Sequence, residues 1–173
     1  MRRMYQLAFT AAIISVAAIV ASPGLGQSPA SVLNSTNASH ANGSPAAPLT
    51  VKQMLETANA EVPRITPAQA KEMIAKGNTL VLDVRDASEV AASGKALGAV
   101  NVSRGMLEFA ADPESPYHNK SLAKDKAVIV YCSSGARAAL ASKTLKDMGY
   151  PNVFNVGGFK DWVDSGGAVE PSK

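Results

Sequence analysis

Cys132 is the only cysteine in the 173-residue chain, and it opens the segment Cys132-Ser133-Ser134-Gly135-Ala136-Arg137. A single thiol excludes an internal disulfide, a CxxC redox pair and a zinc ribbon. The two histidines, His40 and His118, lie far apart in polar surroundings, so the pattern offers no metal site and calls for no cofactor. What remains is the thiol's own nucleophilicity. The small residues that follow it let the backbone curl until successive amides converge on one centre, forming an anion-holding nest. A helix beginning near Arg137 would add its positive end, and together these stabilise negative charge on sulfur. Arg137 itself adds a cation at the rim. Most lone cysteines are small buried hydrophobes. At the end of a strand and the mouth of a glycine-containing loop, covalent nucleophilic chemistry is the better reading.

The elements that must position this loop are legible on either side of it. Residues 127–131 (AVIVY) form a continuous apolar run, as in a strand buried on both faces. Residues 137–148 read as a helix with Leu140, Ala141, Leu145 and Met148 on one face, closed by Gly149. Upstream, residues 51–60 form a short helix candidate. A second helix is capped by Thr66 with Pro67 in its first turn, and runs to about residue 76 before Gly77 ends it. Residues 80–82, 99–102 and 153–156 are further short strands, and residues 159–165 a final helix whose Phe159 and Trp162 have core spacing. Residues 105–117 read as a polar surface insertion. Alternating strands and helices predict an α/β domain with a parallel sheet covered on both faces. Ligands of such sheets bind beyond the carboxyl ends of the strands, where Cys132 falls.

Four segments, in order along the chain, resemble signatures of the single-domain rhodaneses of the sulfurtransferase superfamily. Leu82-Asp83-Val84-Arg85-Asp86, followed by Glu89-Val90, is similar to the family's L-D-V-R run with its later Glu. Residues 94–102 resemble its G-H-I-P-G-A-x-N-I segment, residues 131–137 its active-site loop, and residues 157–162 its closing G-G-x-x-x-W element. The resemblance implies a three-layer fold with a central parallel sheet of about five strands flanked by helices. It also implies a two-step reaction in which Cys132 takes a sulfane sulfur from a donor such as thiosulfate and holds it as a persulfide. An acceptor, whether cyanide, a small thiol or a protein cysteine, then removes it. Ser133, Ser134, Gly135, Ala136 and Arg137 would form the cradle, and Asp83 and Arg85 would brace it as support. Two departures stand out: Ser133 lies where efficient thiosulfate enzymes often carry Arg or Lys, and Lys95 replaces a frequent His and reads as solvated surface.

Two other functions compete. Phosphatases and arsenate reductases of related fold need five residues between Cys and Arg to surround an oxyanion, and here there are four. A non-turnover persulfide carrier or binding module for a protein partner would use the same cysteine without small-molecule catalysis.

Charge and the amino end set the location. The formal charge of +3 falls to +1 once residues 1–26 are removed, because Arg2 and Arg3 are the only charged residues there. A nearly neutral chain has no phosphate-binding footprint, which excludes nucleic acid as a partner. Residues 7–21 form an apolar run behind the two arginines, with Gly24 and Gly26 at a small-x-small site. We expect a signal peptide over 1–26, a Ser/Asn/Ala/Pro-rich linker over 27–48 and a rhodanese-like domain over 49–173, exported to the periplasm. The alternative is an uncleaved anchor; no other membrane contact is expected. Amino-terminal sequencing of protein from fractionated cells should find a chain beginning near Gln27 outside the cytoplasm. An intact Met1 in the soluble cytoplasmic fraction contradicts export, and an intact Met1 in the membrane fraction favours the anchor.

Overall fold

The elements run α1 (Val51–Glu61), α2 (Pro67–Lys76), β1 (Thr79–Asp83), α3 (Ala87–Ser93), β2 (Lys95–Ala96), β3 (Val100–Asn101), a 3₁₀ turn (Arg104–Met106) and α4 (Leu107–Ala111). They continue with β4 (Ala127–Cys132), α5 (Ala136–Asp147), β5 (Val153–Gly158), α6 (Phe159–Asp164) and β6 (Val169–Glu170). This is a computed structural model describing residues 47–171. The predicted export segment, and the linker up to residue 46, lie outside the described residues.

The apolar runs form one parallel sheet in the order β3-β1-β4-β5, while β2 and β6 pair antiparallel beside it. Side-chain alternation sends each strand's residues to opposite faces. Leu80, Leu82, Val128, Val130 and Cys132 pack towards Leu107 and Ala111 of α4 and Ala138, Ala141 and Leu145 of α5. Val81, Ile129, Tyr131 and Val156 pack on the other face with Ala70 of α2 and Phe159 and Trp162 of α6. Helices therefore cover both faces. Thr50 with Gln53, and Thr66 with Gln69, close reciprocal capping boxes at the starts of α1 and α2.

Several expectations are corrected. The sheet has four strands; where a fifth would lie beside β5, Arg64 and Asn155 make a single parallel bridge. Pro63 has no N–H to extend that pairing and Thr66 already caps the next helix, so the strand cannot grow. Residues 105–117 are not simply a surface loop, because α4 buries Leu107, Ala110 and Ala111. On α5 the core face is Ala138, Ala139, Ala141, Ser142 and Leu145, with Leu140 and Met148 only half-buried. Lys95 is not free surface: it pairs with Glu170 across β2 and β6 and donates to the Ala99 carbonyl.

A buried ionic brace locks the carboxyl end of β1 to its surroundings. Arg85 Nε donates to both Asp83 carboxylate oxygens at 3.0 Å, and Nη2 donates to Oδ2 at 2.6 Å. The guanidinium also donates to Ser93 Oγ and to the Gly94 carbonyl at the end of α3. Tyr131 Oη donates to Asp83 Oδ2 at 2.7 Å and accepts from the Ala96 amide. Burial, reinforced by the bond to Asp83, pushes the Tyr131 phenol above its ordinary range, so it remains a donor. Arg85 lies 4.0 Å above the Phe159 ring. Asp83 and Arg85 are thus structural partners, 0% and 2% exposed. Asp83→Asn leaves the Arg85 charge buried with a weakened partner, and should lower stability by about 3–5 kcal/mol. A drop in the urea midpoint at unchanged slope is the expected measurement.

Candidate active site

β1 and β4 are adjacent, and the chain leaves β1 towards β3 on one side before returning as β4 on the other. This reversal opens a crevice at the carboxyl ends of the two strands. Asp83 ends β1, and Cys132 ends β4.

The loop after Cys132 turns through Gly135, whose φ of +95° is left-handed, and enters α5. That conformation aims the Gly135 N–H at Cys132 Sγ, 3.1 Å away. Cys132 itself is 0% exposed, while Ser133, Ser134 and Ala136 of the loop are exposed. Of the predicted cradle, Gly135 donates to the sulfur; the Ser133 hydroxyl instead accepts from Arg137 Nη2 at 3.0 Å.

The loop rests on bare backbone. Tyr131 and Cys132 are in register with Gly157 and Gly158 of β5. A Cβ on Gly158 would come within 2.5 Å of the Ser133 carbonyl oxygen, and one on Gly135 within 3.1 Å of Gly157 Cα. Only glycines allow this approach. Asn155, 2% exposed, ties the layers together by donating from Nδ2 to the Gly135 carbonyl at 3.3 Å and accepting the Gly157 N–H at 2.9 Å.

Arg137 does not point a free charge at the sulfur. Its Nη1 and Nη2 each donate to a different oxygen of Glu89 at 2.7 Å, and Nη1 lies 3.6 Å from Asp86. The bond from Arg137, then the Asp86 amide, lowers the Glu89 carboxyl to about 2. A folded value below the unfolded one gives stabilisation that is fully present above the ordinary value of 4.5 and is lost as pH falls from there through about 2. On the side facing α1, Arg64 lines a cavity of about 200 Å³ with Ser134, Gly135 and Ala136. Among the described residues, no three His, Cys, Asp or Glu side chains gather as a metal site.

The structure therefore brings Cys132, Gly135 and the Ser133–Arg137 contact into one site, with Asp83 and Arg85 behind it. Sequence reasoning did not anticipate that Glu89 binds Arg137, because the partners are 48 residues apart. Asn155 was missed as well; its signal was a polar residue inside an apolar strand.

The Rhodanese-like domain family model matches residues 66–165. A thiosulfate sulfurtransferase GlpE from Actinobacillus succinogenes is 36% identical over 110 residues, spanning 61% of this chain and 88% of the relative. Among solved structures, a Rhodopseudomonas palustris protein of unknown function, described as a possible tyrosine phosphatase, is 39% identical. It has a TM-score of 0.66 and covers 70% of this chain and 95% of its own. A polysulfide-sulfur transferase homodimer from Wolinella succinogenes is 30% identical, with a TM-score of 0.54, 70% coverage of this chain and 88% of its own. With the matched segment containing the strand, the cysteine loop and the glycine pair just described, the chain belongs to the rhodanese-like domain family.

Proposed function

We propose that this protein is a rhodanese-type sulfurtransferase with Cys132 as its nucleophile. The observation that carries the reading is the Gly135 N–H aimed at Cys132 Sγ at 3.1 Å, in a loop at the carboxyl end of a parallel sheet. In the first step the Cys132 thiolate attacks the sulfane sulfur of a donor. A Cys–S–S bond forms, the donor's S–S bond breaks, and the leaving group departs with the electron pair, as sulfite from thiosulfate. In the second step cyanide, a small thiol or a protein cysteine attacks the terminal sulfur and the Cys132 thiolate is regenerated. The Gly135 amide supports negative charge on sulfur in both steps. The GlpE relative and the polysulfide-sulfur transferase neighbour support this chemistry by their names.

The phosphatase reading is weaker. Four residues separate Cys132 from Arg137, and that arginine is held by Glu89 rather than turned towards an oxyanion. The carrier reading keeps the persulfide and drops the turnover. The apolar amino-terminal run supports export as part of the proposal.

Exposure to a sulfane donor should add one sulfur, about 32 Da, to Cys132, removable by cyanide. Intact-protein mass spectrometry reads this directly, and Cys132→Ser should abolish both labelling and turnover while remaining folded. An unmodified mass after thiosulfate, polysulfide and hydropersulfide exposure contradicts the enzyme reading, and labelling without turnover favours the carrier. Gly158→Ala should push the Ser133 carbonyl and its loop aside, lowering turnover by about tenfold or more with the circular dichroism spectrum retained. Unaltered kinetics in that variant would show that the glycine pair does not position the loop.

A further inference from the structure

The loop's own cation, Arg137, is matched by carboxylates. Arg85 is buried and spent on Asp83. Arg137 presents both terminal nitrogens to Glu89, with Asp86 as a second carboxylate at 3.6 Å. Ser133 contributes an uncharged hydroxyl to the loop, and that hydroxyl accepts from Arg137. On the other flank Arg64 carries no side-chain hydrogen bond or ion pair among the described residues. On the Arg137 side two carboxylates face one guanidinium, so that flank offers no net positive charge, while the Arg64 charge stands apart on the other flank. What the loop does supply is dipolar: the Gly135 N–H at the sulfur.

A dipole of this kind suits one negative charge localised on sulfur. Thiosulfate brings a second charge spread over its sulfonate oxygens, and drawing it from water into the site requires a cation. A hydropersulfide, RS–SH or RS–S⁻, brings at most one charge at the reacting end. We infer, building on the sulfur-transfer reading, that Glu89 is a specificity-determining residue: by occupying Arg137 it withdraws the loop's cation and directs the site towards low-charge hydropersulfide donors over dianionic thiosulfate. The step is balanced. The Cys132 thiolate attacks the outer sulfur of RS–SH, the new Cys–S–S bond forms, the RS–S bond breaks, and RS⁻ leaves with the electron pair while the proton stays on the transferred sulfur. The sulfane sulfur moves without net oxidation, so no further reactant is needed.

Glu89 also fastens the loop, so the test reads a ratio rather than a single rate. kcat/KM is measured on the full protein with thiosulfate and with cysteine hydropersulfide, each at about 20 and 200 mM salt. For the wild type, hydropersulfide should give the higher value, and thiosulfate turnover should change little with salt. In Glu89→Gln the thiosulfate-to-hydropersulfide ratio should rise about tenfold at low salt, and thiosulfate turnover should become salt-sensitive. A proportional fall with both donors, leaving the ratio unchanged, would reduce Glu89 to a brace and overturn the inference. So would a wild-type preference for thiosulfate that collapses with salt, which would place the donor's charge on Arg64. If Glu89→Gln does not fold, the wild-type ratio and its salt dependence still decide. Failure of both donors to load Cys132 sinks the sulfur-transfer reading itself, whereas loading by thiosulfate in preference to hydropersulfide sinks only the donor assignment.

Discussion

The buried pair of Asp83 and Arg85 is the constraint on which the rest of the site hangs, and it gains its position from what surrounds it rather than from its charge alone. Two ions removed from water are costly unless their remaining donors and acceptors find partners. Here they do: Ser93, Gly94 and Tyr131 complete the network, and the Phe159 ring covers the guanidinium. These partners come from separate elements, so satisfying the charges fixes the ends of α3 and β4 and the start of α6 together. Tyr131 is the residue before Cys132, on the opposite face of the strand. Holding its hydroxyl in the network therefore sets the height at which the thiol emerges from the sheet.

The same arrangement separates two kinds of arginine. Arg85 serves architecture and is nearly inaccessible, whereas Arg137 lies at the surface of the loop and is held by carboxylates at the start of α3. α3 thus touches both: its first turn supplies Glu89 to the loop, and its last residues accept from the brace. A helix of seven residues links the structural pair to the reactive loop.

Much of this was legible in the sequence. The AVIVY run, the helix after it and the glycine that ends α2 were each marked by one local rule, namely apolar continuity, periodicity and a break. The loop was equally readable, because a lone cysteine between a buried strand and a run of small residues places its sulfur beside a backbone amide, here that of Gly135. What was not legible depended on distance along the chain. β2 and β6 are two residues each and exist only because they find one another. Helix α4 hid inside a polar stretch, since three buried positions, Leu107, Ala110 and Ala111, are too few to show a period. Arg137 reads from the sequence as a cation at the rim, but the carboxylate that meets it, Glu89, does not.

The pairing of β2 with β6 bears on the order in which the protein can assemble. Gly94, whose carbonyl accepts from Arg85, lies directly against the backbone of Glu170, leaving no room for a Cβ. Lys95 meets Glu170 across 75 positions of sequence. The pairings of β1 with β4 and of β4 with β5 close shorter stretches of chain than the Lys95–Glu170 contact, so loop-closure entropy favours forming the sheet first. The brace therefore acquires its last wall only when residue 170 docks, and the folding chain passes through a stage in which the sheet is built but its ionic centre is still open on one side.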